Sequence, residues 1–131
     1  MDSIFTKIIK GEIPCYKVAE DENHLAFLDI MPLKEAHVLV ITKKQVDYIF
    51  DLEPSEIADL NKFAQRVAKA IKKTVDCIKV GVAVIGLEVP HVHIHLIPLH
   101  RIDDINFSKP KLKMDSETLK KMAQKISEKF V

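Results

Sequence analysis

The sequence predicts an α+β domain in which a mainly antiparallel sheet of about five strands packs against one long helix and a C-terminal helix. Short β-rich segments fall in two groups, and segments with helical spacing of apolar residues separate and follow them. The 131 residues suit one domain spanning 1–131. Apolar residues make up 47% of the chain, and Gly and Pro number only 3 and 6, which excludes a disordered or low-complexity protein.

A short helix and three strands are predicted in the first third of the chain. Asp2 or Ser3 can cap a helix over Ile4–Lys10, and Gly11 can end it. A loop is expected over Met31–Ala36 because it contains a proline. Three segments rich in β-forming residues predict strands: Tyr16–Ala19, Leu25–Leu28 and His37–Thr42.

The longest predicted helix covers Pro54–Val75. Either Ser55 acts as its N-cap or Pro54 occupies its first turn. Its apolar residues recur at helical spacing and mark one buried face: Ile57, Leu60, Ala64, Val67, Ala68, Ile71 and Val75. Basic residues on the opposite side are typical of a solvated helix face.

Two further strands and a last helix complete the prediction. The strands are Ile78–Ile85 and Val92–Leu99, the second interrupted at Pro98, with a turn over Gly86–Pro90 between them. A C-terminal extension, 102–131, begins with an irregular stretch over Ile102–Met114. Asp115 or Ser116 then caps a helix with a buried stripe formed by Leu119, Met122, Ala123, Ile126 and Phe130.

Several protein classes are disfavoured by composition. No apolar run approaches the ~20 residues that span a bilayer, and the N-terminus lacks the features of a secretory signal. Cys15 and Cys77 form no CxxC pair, so they are interpreted as reduced thiols of a cytoplasmic protein. The net charge of +1 selects no partner, and neither nucleic acid nor a membrane is expected as one.

Three histidines alternate along one predicted strand, 91–98, at positions His91, His93 and His95. Because alternate residues of a strand point to opposite faces, the intervening Val92 and Ile94 would enter the core and the histidines would share the other face. Neighbouring histidines on that face lie about 6.6–7 Å apart. With only 6 histidines in 131 residues, this alternation calls for a chemical explanation.

Three interpretations of this alternation stay open from the residues alone. A metal site is one, because imidazole is a common ligand, although the outer pair on a straight strand lies about 13–14 Å apart. Nucleophilic catalysis is the second, because a neutral imidazole nitrogen can attack phosphorus or a carbonyl carbon. The third is structural, with surface histidines on a half-exposed strand.

The chain resembles the histidine-triad (HIT) superfamily of nucleotide hydrolases and transferases, and within it the Hint-like branch. His-x-His-x-His followed by two apolar residues is the signature of that family. The opening, Ser3–Pro14, is similar to its N-terminal segment, Leu25–Pro32 resembles its first strand and ribose-binding turn, and His37–Ile41 matches the strand that carries its remote histidine. The resemblance covers residues 2–98 in the family's order and implies the HIT-like fold.

The resemblance implies a role for each histidine of the motif. His93 would attack the α-phosphorus of a purine nucleoside phosphoramidate, anhydride or ester and form a nucleotidyl-histidine intermediate. His95 would contact the phosphate, and His91 would assist orientation and proton transfer. His37 would support the triad from the neighbouring strand.

The resemblance also implies a nucleotide-binding site and a dimer. Asp29 would accept hydrogen bonds from the ribose hydroxyls, as a carboxylate can from a vicinal diol. Apolar residues would form the walls of the base pocket: Ile4, Phe5, Ile8, Phe27 and Ile30. No metal or other cofactor would be required, and a homodimer joined partly through the long helix is expected.

Glu88 departs from the pattern of the family. A small neutral donor is expected two residues before Pro90, and a carboxylate there repels a phosphate unless it is protonated, paired or turned away. Two alternatives to the hydrolase therefore stay open: a nucleotide-binding or protein-interaction module with weak catalysis, and a metal-dependent hydrolase that uses the same histidines.

Four further residues lack the support of the motif. Ser3 and Thr6 stand where some relatives carry zinc-binding cysteines, so no structural zinc is expected there. His24 and His100 match no motif and are expected at the surface.

Overall fold

The computed structural model describes residues 1–131 and contains one five-stranded antiparallel sheet in the order β1-β2-β3-β5-β4. The strands are β1 (Lys17–Glu20), β2 (His24–Leu28), β3 (Val38–Thr42), β4 (Lys79–Ala83) and β5 (His93–Leu99). The helices are α1 (Ile4–Ile9), α2 (Pro54–Thr74) and α3 (Ser116–Lys129), with 3₁₀ turns at Ile49–Asp51 and Ile102–Ile105. The predicted α+β class, the five strands and both long helices are confirmed.

The caps of the helices separate the alternatives that the sequence left open. The Thr6 amide donates to the Ser3 hydroxyl, so Ser3 caps α1. Glu53 caps α2, with Pro54 in the first turn, and the Ser55 alternative is wrong. The α3 helix begins after Asp115, whose carboxylate accepts from the Thr118 amide.

The predicted interruption at Pro98 is wrong, because β5 continues through it to Leu99. Pro98 pairs with Val80 of β4, whereas the pairing of β5 with β3 ends at Leu96. Proline has no amide hydrogen to donate, and on this side no strand lies opposite to accept one.

The two faces of the sheet carry separate apolar clusters. The larger cluster lies under α2 and α3 and includes Val92, Ile94 and Leu96, as the alternation predicts. The smaller cluster lies on the opposite face, where Phe5 of α1 packs with four residues of the sheet: Leu25, Phe27, Leu39 and Ile41. Phe5 also contacts the His93 ring, so the histidines share this second face.

The expectation that His24 lies at the surface is wrong, since the residue is only 5% exposed. Its ring stacks on Phe63 of α2 with the ring centroids 5.1 Å apart, and its Nδ1 lies 2.9 Å from an Asp21 carboxylate oxygen. His24 is the first residue of β2 and lies beneath α2, so its ring packs against that helix. His100 is exposed, as expected.

Two further properties bear on the class of protein. Cys15 and Cys77 are free thiols, as the sequence indicates. None of the three helices combines the length and the apolarity that crossing a membrane requires.

Leu60 tests how strongly α2 depends on the larger cluster, because its side chain is fully buried there. Truncation in Leu60→Ala leaves a cavity and should lower the free energy of unfolding by about 2–5 kcal/mol. Urea denaturation followed by circular dichroism measures this loss. The neighbouring exposed residue supplies the control, since Asp59→Ala should change stability by no more than about 0.5 kcal/mol. Equal losses in both variants would contradict the packing.

Candidate active site

The three histidines lie on or just before β5, beside the central strand β3, on the face that α1 covers. His93 and His95 belong to β5 and pair with Ile41 and Leu39 of β3, whereas His91 precedes the strand. Their exposed fractions are 0% for His91, 6% for His93 and 9% for His95. The interpretation of these residues as surface histidines on a half-exposed strand is therefore wrong.

His91 has both ring nitrogens engaged inside the protein. Its Nε2–H donates to the Thr42 carbonyl oxygen over 2.7 Å, which leaves Nδ1 as an acceptor. The Ser3 hydroxyl donates to that Nδ1 over 2.6 Å. Burial lowers the pKa of His91, consistent with a neutral ring. The ring offers substrate no free nitrogen, so His91 can contribute orientation but not direct proton transfer.

The N-terminus of α1 is tied to this histidine through polar side chains. Ser3 caps the helix and contacts His91, and its own amide donates to the Gln45 side-chain oxygen over 2.8 Å. The Thr6 hydroxyl donates to the same Gln45 oxygen. The hydroxyl groups of Ser3 and Thr6 thus hold α1 against the histidine motif, at the two positions where the resemblance would allow zinc-binding cysteines.

His93 presents a free lone pair. Its Nδ1–H donates to the His91 carbonyl oxygen over 2.6 Å, so Nε2 carries no proton in the neutral ring. Burial lowers the pKa of His93 below its usual 6.5. Every fully buried side-chain polar atom has a hydrogen-bond partner. Nε2 of His93 has none, so this nitrogen is accessible to solvent. An unprotonated imidazole nitrogen open to solvent can act as a nucleophile.

His95 presents a hydrogen-bond donor because a second chain of hydrogen bonds sets its tautomer. The Leu33 amide donates to Nδ1 of His37 over 3.0 Å, so the proton of His37 lies on Nε2. That Nε2–H donates to Nδ1 of His95 over 3.0 Å, which places the proton of His95 on its outer Nε2. Burial, followed by the positive charge of neighbouring groups, lowers the pKa of His37 to about 3 and that of His95 to about 4.

The turn before β3 places His37 beneath His95. Ala36 has a φ of 65°, in the left-handed region that residues with a Cβ seldom adopt. The His37 amide closes the turn by donating to the Lys34 carbonyl over 3.2 Å. Backbone strain of this kind persists where the surrounding structure enforces it, and here it adjoins the histidine motif.

Asp29 follows β2 directly and serves the turn as well as the site. Its Oδ1 accepts from the Met31 amide over 2.9 Å, and its Oδ2 lies 3.6 Å from Nε2 of His37. Burial raises the pKa of Asp29. A carboxylate has about four acceptor positions, so oxygens remain for a ligand.

The five apolar residues proposed for the base pocket divide into two groups. Phe5 and Phe27 are buried and meet edge to face, with centroids 5.6 Å apart. Ile8 is half-buried and packs on the same cluster. Ile4 and Ile30 are exposed, at the start of α1 and directly after Asp29. The structure thus brings Phe5 against His93 and leaves the two isoleucines facing solvent.

Glu88 lies in the loop between β4 and β5, and its side chain is exposed. Its charge still reaches the site: burial is the main cause of the raised pKa of Asp29 and the lowered pKa of His93, and Glu88 adds a smaller upward contribution to both. A carboxylate that faces water is screened by solvent, which weakens its repulsion of a nearby phosphate.

Two residues of the C-terminal extension also reach the site, and sequence reasoning missed both. The Phe107 ring lies 4.8 Å from the His95 ring and 6.4 Å from the His37 ring, measured between centroids. Lys111 donates to the Phe107 carbonyl over 3.0 Å, and its charge contributes to the low pKa of His95. Because the stretch has no apolar periodicity, no sequence signal could have placed them here.

One group of side chains has the composition of a metal site. One potential ligand atom from each of Asp29, His37 and His95 lies within 4.8 Å of the others. The tautomers do not fit an ion, because ligation by Nε2 of His37 needs a lone pair there, and the Leu33 amide holds the only lone pair on Nδ1. The hydrogen bonds therefore favour histidines with fixed tautomers over a metal centre.

Comparison with known proteins agrees with this site. The family model described as HIT domain matches residues 10–102, so the chain belongs to the HIT family. It is 34% identical to adenosine 5′-monophosphoramidase hnt1 of Schizosaccharomyces pombe over 132 residues, 99% of each chain. It is 42% identical to adenosine 5′-monophosphoramidase HNT1 of Saccharomyces cerevisiae over 96 residues, 72% of this chain and 61% of the relative.

A solved structure supports the HIT-like fold. The crystal structure of a Hit-like protein involved in cell-cycle regulation from Bartonella henselae matches with a TM-score of 0.85 and 31% identity. The match covers 98% of this chain and 96% of the other. The similarity extends beyond the family model into the C-terminal extension.

The depressed histidine pKa values predict a pH dependence of stability. In the unfolded chain His95 takes up a proton near pH 6.5, whereas in the folded protein its lowered pKa keeps it neutral down to about pH 4. Stability should therefore fall as the pH drops from about 6.5 to about 4, by up to about 1.4 kcal/mol per pH unit for each such histidine. Urea denaturation at a series of pH values measures the slope. His95→Gln should reduce the slope by the share of this one histidine, and an unchanged slope would contradict the assignment.

Proposed function

We propose that this protein cleaves purine nucleoside phosphoramidates, or related nucleotidyl compounds, at the α-phosphate through a nucleotidyl-His93 intermediate. The observation that carries the proposal is the pair of outer nitrogens on β5. His93 offers a lone pair and His95 offers a hydrogen, both held by hydrogen bonds to backbone or to His37. Membership of the HIT family supports nucleotide hydrolysis in general.

The proposed reaction has two displacements at phosphorus. In the first, Nε2 of His93 attacks the α-phosphorus, the bond to the leaving nitrogen or oxygen breaks, and the leaving group takes up a proton from solvent. In the second, water attacks the same phosphorus and releases a proton to solvent, the bond to Nε2 breaks to restore the neutral His93 ring, and the nucleoside monophosphate leaves. Splitting one displacement into two lowers each barrier, and another acceptor in place of water gives transfer.

His95 stabilises the charge of the reacting phosphate in this scheme. Its Nε2–H donates to a phosphate oxygen, and the hydrogen bond from His37 keeps that proton on the outer nitrogen. His91 acts through its backbone carbonyl, which holds the His93 ring with Nε2 outward. A donor fixed before the reaction needs no reorganisation when charge develops on the phosphate oxygens.

Asp29 and the aromatic cluster are proposed to bind the nucleoside. The free acceptor positions of Asp29 suit the two ribose hydroxyls, and Phe5 and Phe27 form a buried wall beside His93. Ile4 and Ile30 are exposed, so a purine can cover them on binding. The printed names of the Schizosaccharomyces pombe and Saccharomyces cerevisiae relatives support an adenosine phosphoramidate as substrate.

Replacement of the nucleophile tests this proposal. His93→Ala should lower the turnover of adenosine 5′-phosphoramidate by roughly 10⁴-fold or more, because the covalent route is lost. Release of AMP, followed by chromatography, measures the rate. His100→Ala is the matched control, since this histidine is exposed and outside the motif, and it should retain full activity.

The result separates the proposal from a nucleotide-binding or protein-interaction module with weak catalysis. Full activity in His93→Ala would refute the covalent mechanism. Tight AMP binding by the unmodified protein without turnover of phosphoramidates, dinucleoside polyphosphates or adenylylated compounds would favour the module. Activity that a chelator abolishes would favour a metal-dependent hydrolase.

A homodimer is proposed from the outer edge of β4. This strand ends the sheet and exposes Lys79 and Val82, with Val82 60% exposed and the preceding Ile78 63% exposed. Ile85 and Leu87 extend the apolar surface beyond the strand. An unpaired apolar edge is a site for strand pairing or association, and a second copy of the chain would cover it.

Light scattering coupled to size-exclusion chromatography tests the dimer. The unmodified protein should elute with twice the 14.9 kDa mass of one chain. Val82→Lys places a charge in the covered apolar part of the edge and should shift the protein to the monomer, whereas Lys79→Ala removes a charge from the same strand and should leave the dimer intact. A monomer at all concentrations would refute this part of the proposal.

A further inference from the structure

We propose that Lys111 of the C-terminal extension binds the anionic α-phosphate of the substrate and is a specificity-determining residue of the active site. The inference rests on the proposed function and adds the cation that the histidine motif lacks. It also assigns a role to the segment from Phe107 to Leu112, which the HIT domain match, ending at residue 102, leaves out.

The segment is held against the site at both of its ends. Phe107 packs edge to face on His95, with ring centroids 4.8 Å apart. The Leu112 amide donates to the Pro32 carbonyl over 2.8 Å and so joins the segment to the loop that follows Asp29. Lys111 lies between these anchors, with Nζ 3.0 Å from the Phe107 carbonyl oxygen and 5.6 Å from the centre of the Phe107 ring.

Lys111 has no carboxylate partner within the protein. Two other lysines do have carboxylate partners. Lys34 pairs with Asp104, and Lys109, two residues before Lys111, pairs with Asp103. The Lys111 side chain is half-buried, and only one of the three ammonium hydrogens is engaged, by the Phe107 carbonyl. Partial burial of an unpaired cation is unfavourable, and a bound anion would relieve it.

The four histidines of the site supply no positive charge to a bound phosphate. His37, His91, His93 and His95 all have a lowered pKa and are neutral near pH 7, so none supplies a positive charge. Asp29 and Glu88 contribute acidic groups nearby. Lys111 is the lysine whose charge reaches Asp29, His37 and His95. A phosphate that enters this site therefore meets Lys111 as its counter-charge.

The chemistry of the proposed contact follows from the donors that remain. Two hydrogens of the Lys111 ammonium and the outer Nε2–H of His95 are available to the non-bridging oxygens of the α-phosphate. An ionised phosphate gains more from an ammonium than a neutral ligand does, because charge-assisted hydrogen bonds are about twice as strong. The site should therefore discriminate AMP from adenosine through Lys111.

The test compares Lys111→Met with Lys113→Met in the full chain. Lys113 lies on the same segment and is exposed, so its removal controls for the loss of one positive charge. Calorimetry with AMP and with adenosine measures binding, and release of AMP from adenosine 5′-phosphoramidate measures kcat and KM. Lys111→Met should weaken AMP binding about 10-fold and lower kcat/KM about 10–100-fold, with adenosine binding unchanged. Lys113→Met should match the unmodified protein.

Two further variants keep the test independent of folding. Lys111→Gln retains a donor for the Phe107 carbonyl, so it separates the charge from the local hydrogen bond, and it should lose AMP affinity as Lys111→Met does. Lys111→Arg keeps the charge and should recover most of that affinity. NMR titration of His95 gives a further readout, since removal of the nearby charge in Lys111→Met should raise the pKa of that histidine.

Several results would overturn the inference. Equal losses for AMP and adenosine would show that Lys111 supports the fold of the segment rather than the phosphate. Unchanged AMP affinity in Lys111→Met and Lys111→Gln would exclude a phosphate contact. Failure of the proposed function would give a different result. If the unmodified protein turns over no nucleotidyl compound, but the Lys111 variants bind AMP more weakly than it does, the phosphate site stands and the hydrolase activity is refuted.

Discussion

The antiparallel pairing of β3 with β5 is the constraint on which the active site depends. Its register sets Leu39 opposite His95 and Ile41 opposite His93, and it brings His37, just before β3, within 3.0 Å of the His95 ring. Side chains of a strand alternate between faces, so a shift of the pairing by one residue would turn the histidines toward α2 and α3. The larger apolar cluster opposes that slip, because it would then receive imidazoles in place of Ile94 and its neighbours.

Backbone groups determine the protonation of the histidines. The Leu33 amide begins the chain that ends at the outer nitrogen of His95, and the carbonyls of Thr42 and His91 accept from the other two rings. Amides and carbonyls do not titrate near neutral pH, so the tautomers follow from the fold itself. Burial keeps the rings neutral, and the site can hold a nucleophile and a donor side by side without an intervening carboxylate.

Much of the architecture could be predicted because it depends on local spacing. The buried stripe of α2, the five strands and the helix caps at Ser3 and Asp115 follow from periodicity and capping chemistry. The predictions for His24 and Pro98 were wrong because a neighbour distant in sequence decides the outcome. His24 is buried because Phe63 of α2 lies over it, and Pro98 stays within β5 because β3 has already ended.

The sequence by itself determined that three alternate histidines share one face of the sheet and that the residues between them enter the core, because side chains of extended chain alternate between faces at every residue. Only the tertiary structure decided which nitrogen of each ring carries the proton. That choice depends on groups far along the chain, such as Ser3 at His91 and His37 at His95. The approach of Phe107 to the site was likewise decided by packing, since an aromatic residue in an aperiodic stretch can be placed only by its contacts.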